Sequence, residues 1–548
     1  MSILSRFQVL RRKAGGLINL PNTTKSPTDL NKVGRRGSGT SNAHHNSRVG
    51  VRNKATLVGL DHKNTQQTYR SKSNFELVRS LLILKTCTYQ IFVRNAEKTM
   101  RFSRVVLGRP LFTYIMKKTF YGQFAGGENI TELKPVVEKL ANHGVRSMLN
   151  FSVEQADLGS SKGEVHCQSN LETILGVLES SKEVCEVRPY SSFKITGLTT
   201  PWLLNQFTEV LKGVERAFLD NSQFERTKKQ GRFMCSLSDK VKSNEILLAN
   251  RVITRDAFIA LTSSPQSFDK ADVNNTGTLD FQQFRDLILS NPDIIKQIPG
   301  VPELTEELVQ GIERLRDRLE QIAEKTKTLD ARIMIDAEQT YMQPAIDYFT
   351  LELMRKHNQG VAYVYNTYQC YLKKTPNTLI LDAMDAMSRG YNLGVKLVRG
   401  AYMVEETARA ARLNYDNPIQ DSKADTDRTY HEMLDVVLEL VSRDHCFVLA
   451  GSHNEETVRY LMARLGDLRV DPGTEKVVFG QLYGLCDPTT FQLANSGYTV
   501  FKAIAWGKVE EVLPFLARRA EENTGVLGST TRELDLLKVE LWRRVLGD

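Results

Sequence analysis

The chain reads as an α/β protein, a (β/α)8 barrel with a helical N-terminal region and an EF-hand-like helical insertion, and three observations carry that expectation. Eight short, continuously apolar runs recur between residues 145 and 507, the pattern of strands buried on both faces. Amphipathic segments such as "AIDYFTLELMRK" and "TYHEMLDVVLELV" lie between them, and eight is the number of strands that closes a parallel barrel. A doubly wound open sheet is the rival, but no G-x-G-x-x-G follows any run, and H-E-x-x-H, a Walker loop and G-x-S-x-G are also missing.

Residues 1–55 form a leader with eleven Lys/Arg against the single acid Asp29. Rich in Arg, Ser and Thr and opening on a short amphipathic stretch, it has the composition of a mitochondrial transit peptide. Its local charge of +10 accounts for the whole net charge of +9, so the basic balance does not mark a nucleic-acid-binding face. The 548 residues, 41% apolar, are enough to bury a large core. Seven scattered cysteines without a C-x-x-C pair argue against a disulfide framework or a zinc ribbon. Residues 56–140 read as helical, with Leu77, Leu81, Leu82 and Leu84 in helical spacing. The most apolar early segment, "LVRSLLILKTCTYQIFV", is interrupted by Arg79 and Lys85 and is too short to span a bilayer.

The strand runs of the barrel region, 141–548, are "VRSMLNFSV", "SSFKITGL", "RIMIDAE", "GVAYVYNTYQ", "GVKLVRGAY", "CFVLAGSHN", "KVVFGQLYG" and "YTVFKAIAWG". More than 130 residues separate the second from the third, so an insertion is expected there, placed at 205–325. Within it, "DVNNTGTLDFQQF" puts Asp272, Asn274, Thr276, Gly277, Thr278 and Asp280 at successive EF-hand loop positions, with the loop spanning 272–283. Gln283 stands where a bidentate Glu is required, which weakens any calcium site. The alternative is a structural helix–loop–helix packed on the barrel.

Barrel chemistry sits at the carboxyl ends of the strands, and polar residues recur there: Lys194, Asp336, Glu338, Asn366, Gln369, Lys396, Arg399, His453 and Asn454. Any one alone reads as half of a structural ion pair, whereas the recurrence at equivalent places favours a shared site. After the eighth run, "VEEVLPFLARRAEEN" forms a helix that buries Val509, Val512, Leu513, Leu516 and Ala520. Glu522 then lies between Arg518 and Arg519 on one flank and can brace both guanidiniums. That geometry suits a carboxylate-binding fork and equally an ordinary surface salt-bridge cluster.

Seven motifs extend the reading: "FKITGL", "MIDAE", "YNTYQCYLK", "KLVRGAYM", "SHNEETVR", "FGQLYGLCD" and "FLARRAEEN". Through them, and in their order, the region from about 140 to 540 resembles the FAD-dependent proline dehydrogenases. The resemblance implies a distorted barrel with FAD over the strand ends. It also implies hydride transfer from L-proline to flavin N5, giving Δ1-pyrroline-5-carboxylate, and electrons passed to membrane ubiquinone. Arg518, Arg519 and Lys194 would bind the substrate carboxylate, with Glu522 bracing the arginines and Asp336 as the active-site aspartate. Asn366 and Gln369 would face the flavin, Lys396 its N5 side, and Ala401 and Tyr402 would line the isoalloxazine. Lys423 would reach the pyrophosphate, Ser452, His453 and Asn454 would approach the cofactor, and Ala337, Arg399, Gly400 and Gln481 complete the set.

The substrate pocket would comprise Leu482, Ala503, Phe515 and Tyr402. Relatives specific for proline carry a tyrosine at the place of Ala503 and often another at Phe515, and relatives that oxidise hydroxyproline have a small residue at the first. Proline is the expected substrate and trans-4-hydroxy-L-proline the alternative. A calcium-responsive binding module on an inactive barrel is a further alternative of a different class. The resemblance places the enzyme on the matrix side of the mitochondrial inner membrane, in peripheral contact with it.

Overall fold

The computed structural model describes residues 64–89, 95–150, 160–185, 187–224, 248, 251–512, 516–517 and 527–547. The expected leader, together with Phe515, Arg518, Arg519 and Glu522, lies outside the described residues. Eight parallel strands close on themselves: β1 Arg146–Asn150, β2 Tyr190–Phe193, β3 Arg332–Ile335, β4 Val364–Gln369, β5 Leu393–Val398, β6 Cys446–Gly451, β7 Val477–Leu482 and β8 Val500–Ala505. Each pairs with its neighbours in sequence, and β8 returns to β1 with Met148 opposite Ala503. This is the (β/α)8 barrel the apolar runs predict.

The strands are buried on both faces because helices cover the outside and side chains fill the inside. Met148, Tyr190, Met334, Tyr365, Leu449, Val478 and Phe501 form the interior plug. Tyr190 and Phe501 stack obliquely with ring centroids 4.3 Å apart. Since side chains alternate along a strand, this layer fixes which residue at each strand end looks into the barrel mouth and which looks out into the helices.

Helices used below are α1 Asn74–Cys87, α2 Ala96–Leu107, α3 Arg109–Lys118, α4 Ser160–Val184, α5 Pro201–Asn221, α6 Phe281–Leu289, α7 Glu306–Thr328, α8 Gln343–His357, α9 Thr375–Arg389, α10 Lys423–Val441, α11 Glu455–Asp467, α12 Asp487–Asn495 and α13 Leu527–Leu546. Local chemistry sets their starts. Ser73 and Glu76 form a reciprocal capping box on α1, and Thr200 accepts from Leu203 N with Pro201 in the first turn of α5. Tyr69, Leu77, Leu84, Leu534 and Leu537 make a common core where α1 meets α13. Among the described residues, no helix is long and apolar enough to cross a membrane.

Both α5 and α7 pack against α8 in the outer layer, so the material additional to the barrel lies between them, inside the expected 205–325. There, Arg251–Thr254 pairs antiparallel with Thr278–Leu279. A core containing Phe218, Phe258, Phe268, Phe281, Phe284 and Ile288 joins this unit to α5. Fully burying each such phenylalanine contributes roughly 1.5–3 kcal/mol. Asp286 of α6 then reaches Arg355 at 3.2 Å and Arg389 at 2.7 Å, tying the unit to α8 and α9.

The loop itself is closed by its own hydrogen bonds and gives calcium no support. Asp272 accepts from Thr276 N (2.9 Å), Thr276 Oγ1 (2.9 Å) and Gly277 N (2.6 Å). The Gln283 side chain accepts from Asp280 N, and Asp280 in turn accepts from Gln283 N to cap α6. No group of three or more His, Cys, Asp or Glu among the described residues could hold a metal ion.

A buried acid in the outer layer yields a stability prediction. Asp382 of α9 accepts from Tyr368 Oη at 2.8 Å, and burial, with the Asp347 charge behind it, pushes its carboxyl up to about 8. A raised folded value means the group favours folding fully below the ordinary carboxylate range, and that contribution is lost as pH rises through about 8. Asp382→Asn keeps an acceptor for Tyr368 without the charge. Thermal melts should show the variant more stable than the parent at pH 9, with the gain shrinking steadily toward pH 4. A gain independent of pH would contradict the assignment.

Candidate active site

Four charged side chains converge at the carboxyl ends of β2, β3 and β5. Tyr190 faces inward, so Ser192 and Lys194 follow on the same side; Met334 faces inward, so Asp336 does too. Lys396 is opposite Leu449 of the interior plug. Lys396 Nζ lies 2.6 Å from Asp336 Oδ1, with both side chains largely buried. Glu338 accepts from Thr196 Oγ1 at 2.8 Å and Thr196 N at 3.2 Å, and burial pushes its carboxyl up against the opposing pull of Lys194. Burial drives Lys194 down, but Tyr402, Glu338 and Asp336 together carry it above its ordinary value, so it stays cationic. Its ammonium sits 5.8 Å from the Tyr402 ring centroid.

The turn after β3 is held from both sides. Gln369 donates to Glu338 O at 3.1 Å, and Glu338 N donates to Gln343 Oε1 at 2.7 Å. Gln369 shares the inward parity of Tyr365, so an inward amide and two lysines face the mouth at adjacent strand ends.

Further along the rim, Arg399 spends its guanidinium on three partners: Asp427 (2.7 Å), Ser452 Oγ (2.8 Å) and Thr457 Oγ1 (2.8 Å). Its plane also covers Tyr430, 4.8 Å from the ring centroid. Lys423 meets Asp427 at 2.7 Å, and although burial works against this carboxylate, Lys423 and Arg399 hold it below the ordinary range. Gly400 has φ +138°, and a Cβ there would stand 2.2 Å from the Tyr371 ring, so only glycine fits this bend. Tyr371 Oη accepts from Tyr402 N at 3.3 Å, which sets the Ala401–Tyr402 segment at the rim. Ser452 Oγ accepts from Asn454 N, Asn454 caps α11, and His453 Nε2 accepts from Leu482 N at 2.9 Å.

Two residues expected at the cofactor face the other way. Tyr365, Thr367 and Gln369 look inward, so Asn366 looks outward and donates to Asp347 Oδ1 of α8 at 2.9 Å. Gly480 and Leu482 look inward, so Gln481 looks toward α12, where its Oε1 accepts from Thr490 Oγ1. Both amides are buried in the helical layer, and alternation along the strand is the reason.

Leu482 and Ala503 are partners in the β7–β8 register, side by side at the top of the interior plug. Behind them lies a charge cluster that pattern reading missed. Lys502, 1% exposed, points outward and reaches Asp487 at 3.0 Å, Leu482 O at 3.2 Å and Leu485 O. Lys72 meets Asp487 at 2.9 Å, and Glu533 of α13 accepts from Cys486 N and Asp487 N. Despite burial, the two lysines hold Asp487 well below the carboxylate range, while burial and the Asp487 charge push Glu533 above it. The one sequence signal was a lysine inside the apolar run "TVFKAIA", which demands a partner when buried.

Residues 509–512 and 516–517 are helical, and Val509, Val512 and Leu516 are buried against Phe112 and Met116 of α3. The arginine pair follows directly in sequence.

A closed parallel barrel whose strand ends converge two lysines, two acids and an inward amide is the arrangement of a (β/α)8-barrel enzyme. A family model described as proline dehydrogenase matches residues 133–532. The chain is 33% identical over 551 residues to "Proline dehydrogenase 1, mitochondrial" of Homo sapiens, covering 89% of this chain and 90% of that protein. It is also 33% identical over 483 residues to "Hydroxyproline dehydrogenase" of Xenopus laevis, covering 87% and 89%. Among solved structures, proline utilization A from Bdellovibrio bacteriovorus inactivated by N-propargylglycine is similar in fold, with a TM-score of 0.52 at 17% identity. That match covers 85% of this chain and 42% of the other, so the chain corresponds to less than half of that protein. The chain belongs to the proline dehydrogenase family.

Proposed function

We propose that this chain is a mitochondrial FAD-dependent enzyme that oxidises L-proline to Δ1-pyrroline-5-carboxylate and passes the electrons to membrane quinone. The observation that carries the reading is the Lys194, Asp336, Glu338 and Lys396 cluster at the barrel mouth of a chain belonging to this family. The names of its relatives support the substrate and the compartment.

The residues present fit an anionic, planar cofactor. Gln369 and Lys396 offer N–H donors at the strand ends, Arg399 and Lys423 make one rim basic, and Ala337, Gly400 and Ala401 are too small to block it. Bound there, the flavin supplies the two-electron acceptor. Lys194, with Arg518 and Arg519 braced by Glu522, binds the substrate carboxylate and fixes the ring orientation. These cations disfavour a protonated ring nitrogen, so the amine is held in its reactive neutral form. Asp336 anchors Lys396, whose positive charge offsets negative charge arriving nearby.

A second reading, the same chemistry on trans-4-hydroxy-L-proline, is favoured by Ala503. This small, inward residue beside Leu482 leaves space where a tyrosine would cover the ring. Anaerobic mixing with each imino acid in turn tests both readings: bleaching of the yellow holoenzyme by proline supports the first, faster bleaching by hydroxyproline the second, and bleaching by neither sinks the proposal. Ala503→Tyr should cut kcat/KM for hydroxyproline about tenfold more than for proline, the discrimination one filled pocket can supply. Equal losses would place ring selectivity elsewhere.

A further inference from the structure

We infer that the α2–α3 hairpin is the surface by which this protein docks on an anionic lipid bilayer. The inference deepens the membrane contact in the proposed function and rests on that part of it alone.

The two helices meet at Gly108, whose φ of +71° lets the chain reverse, with Pro110 in the first turn of α3. They are joined to the body through the inner face of α3, where Phe112 and Met116 pack on Val509, Val512 and Leu516. The outer faces are apolar and exposed. On α2, Phe102 (69%), Val105 (83%) and Val106 (64%) are spaced i, i+3, i+4; on α3, Leu111 (49%), Tyr114 (62%) and Ile115 (38%) repeat the spacing. A matched pair of such triplets on adjoining helices is a patch and not the scatter of single apolar residues that any surface shows.

Charge names the occupant. From Ala96 to Lys118 the hairpin holds six cations, Lys98, Arg101, Arg104, Arg109, Lys117 and Lys118, against the single acid Glu97, and Lys117 is paired with Glu128 and Glu132 at 2.5 and 3.0 Å. Helical periodicity puts Lys98 four residues before Phe102 and Lys118 four after Tyr114, so each helix ends its apolar stripe in a lysine. Arg104 and Arg109 are anchored to Glu510 at 3.3 and 2.7 Å, which fixes the hairpin against the segment that leads into the arginine pair. Apolar side chains flanked by cations match the layering of a bilayer with anionic headgroups, where hydrocarbon is buried and lysines rest at headgroup level. A self-associating surface would need acids to meet these cations, and the hairpin sets only Glu97 against six of them.

Flotation of the full-length holoenzyme with phosphatidylcholine vesicles, with and without phosphatidylglycerol, tests the assignment. Binding is expected only with the anionic lipid and should weaken as salt rises. The double variant Phe102→Ser/Val105→Glu should reduce the bound fraction about tenfold while imino-acid bleaching of the flavin persists. The second variant, Lys98→Glu/Lys118→Glu, should abolish the preference for anionic vesicles. Parent-like vesicle binding by both variants overturns the inference, as does binding indifferent to lipid charge or a patch-dependent dimer in place of vesicle binding. If the holoenzyme floats with anionic vesicles but neither imino acid bleaches it, the docking surface stands and the proposed reaction falls.

Discussion

Asp336→Ala is expected to lower kcat for proline about 10²-fold with the flavin still bound. Asp336 is the direct partner of Lys396 at 2.6 Å and one of three groups that carry Lys194 above its ordinary value. Without it two lysines face the same mouth with Glu338 as the remaining acid, and Glu338 is already engaged by Thr196. Lys396 loses its anchor, and a displacement of about 1 Å in a positioning group suffices for a loss of about that size. Lys194 also loses an upward pull while burial continues to press it down. The sign follows: the cation needed for carboxylate binding is kept below the Lys194 pKa and lost above it, so the alkaline limb of kcat/KM should move to lower pH in the variant. Asp336→Asn should fall between parent and Ala in kcat and share the shifted limb. Rates and limb unchanged in both variants would remove Asp336 from the site.

The strands were the most legible part of the chain, because a strand covered on both faces must be a continuous apolar run. The polar strand ends were legible for the same reason, since Lys194, Asp336 and Lys396 break runs that otherwise lack polarity. Which way each one points was not read, although the information was there. Two-residue alternation from Tyr365 sends Asn366 outward and Gln369 inward, and alternation from Val478 sends Gln481 outward. Resemblance supplied a position without a face.

Other features depend on distance along the chain. Lys72, Asp487, Lys502 and Glu533 meet in one buried cluster although more than 400 residues separate the first from the others, and no local pattern pairs them. Helical spacing of Leu77, Leu81, Leu82 and Leu84 identified α1 but not its inner face. Leu77 and Leu84 are buried against α13, while Leu82 is 61% exposed. In the insertion, the loop spacing suggested calcium ligands, but Asp272 is satisfied by its own loop backbone and Gln283 caps a helix. Short polar residues serve turns and metals equally well.

The clamp is tested most sharply by Arg519→Met, for which KM for proline should rise roughly 10²-fold with a smaller change in kcat. Met retains the length of the side-chain stem, so the loss isolates the guanidinium fork. The expected rise corresponds to about 3 kcal/mol, within the range for removing one partner of a desolvated charge pair. Three observations support the expectation. Val509, Val512 and Leu516 are buried just past β8, Glu510 is pinned by Arg104 and Arg109, and Lys194 stays cationic at the same end of the barrel. Pyrrolidine, which has the ring but no carboxylate, provides the control. If Arg519 binds the carboxylate, the substitution should leave the weak turnover of pyrrolidine almost unchanged while it penalises proline. A braced surface salt bridge predicts something else, because loss of fold would depress both substrates together and loss of a surface pair would depress neither.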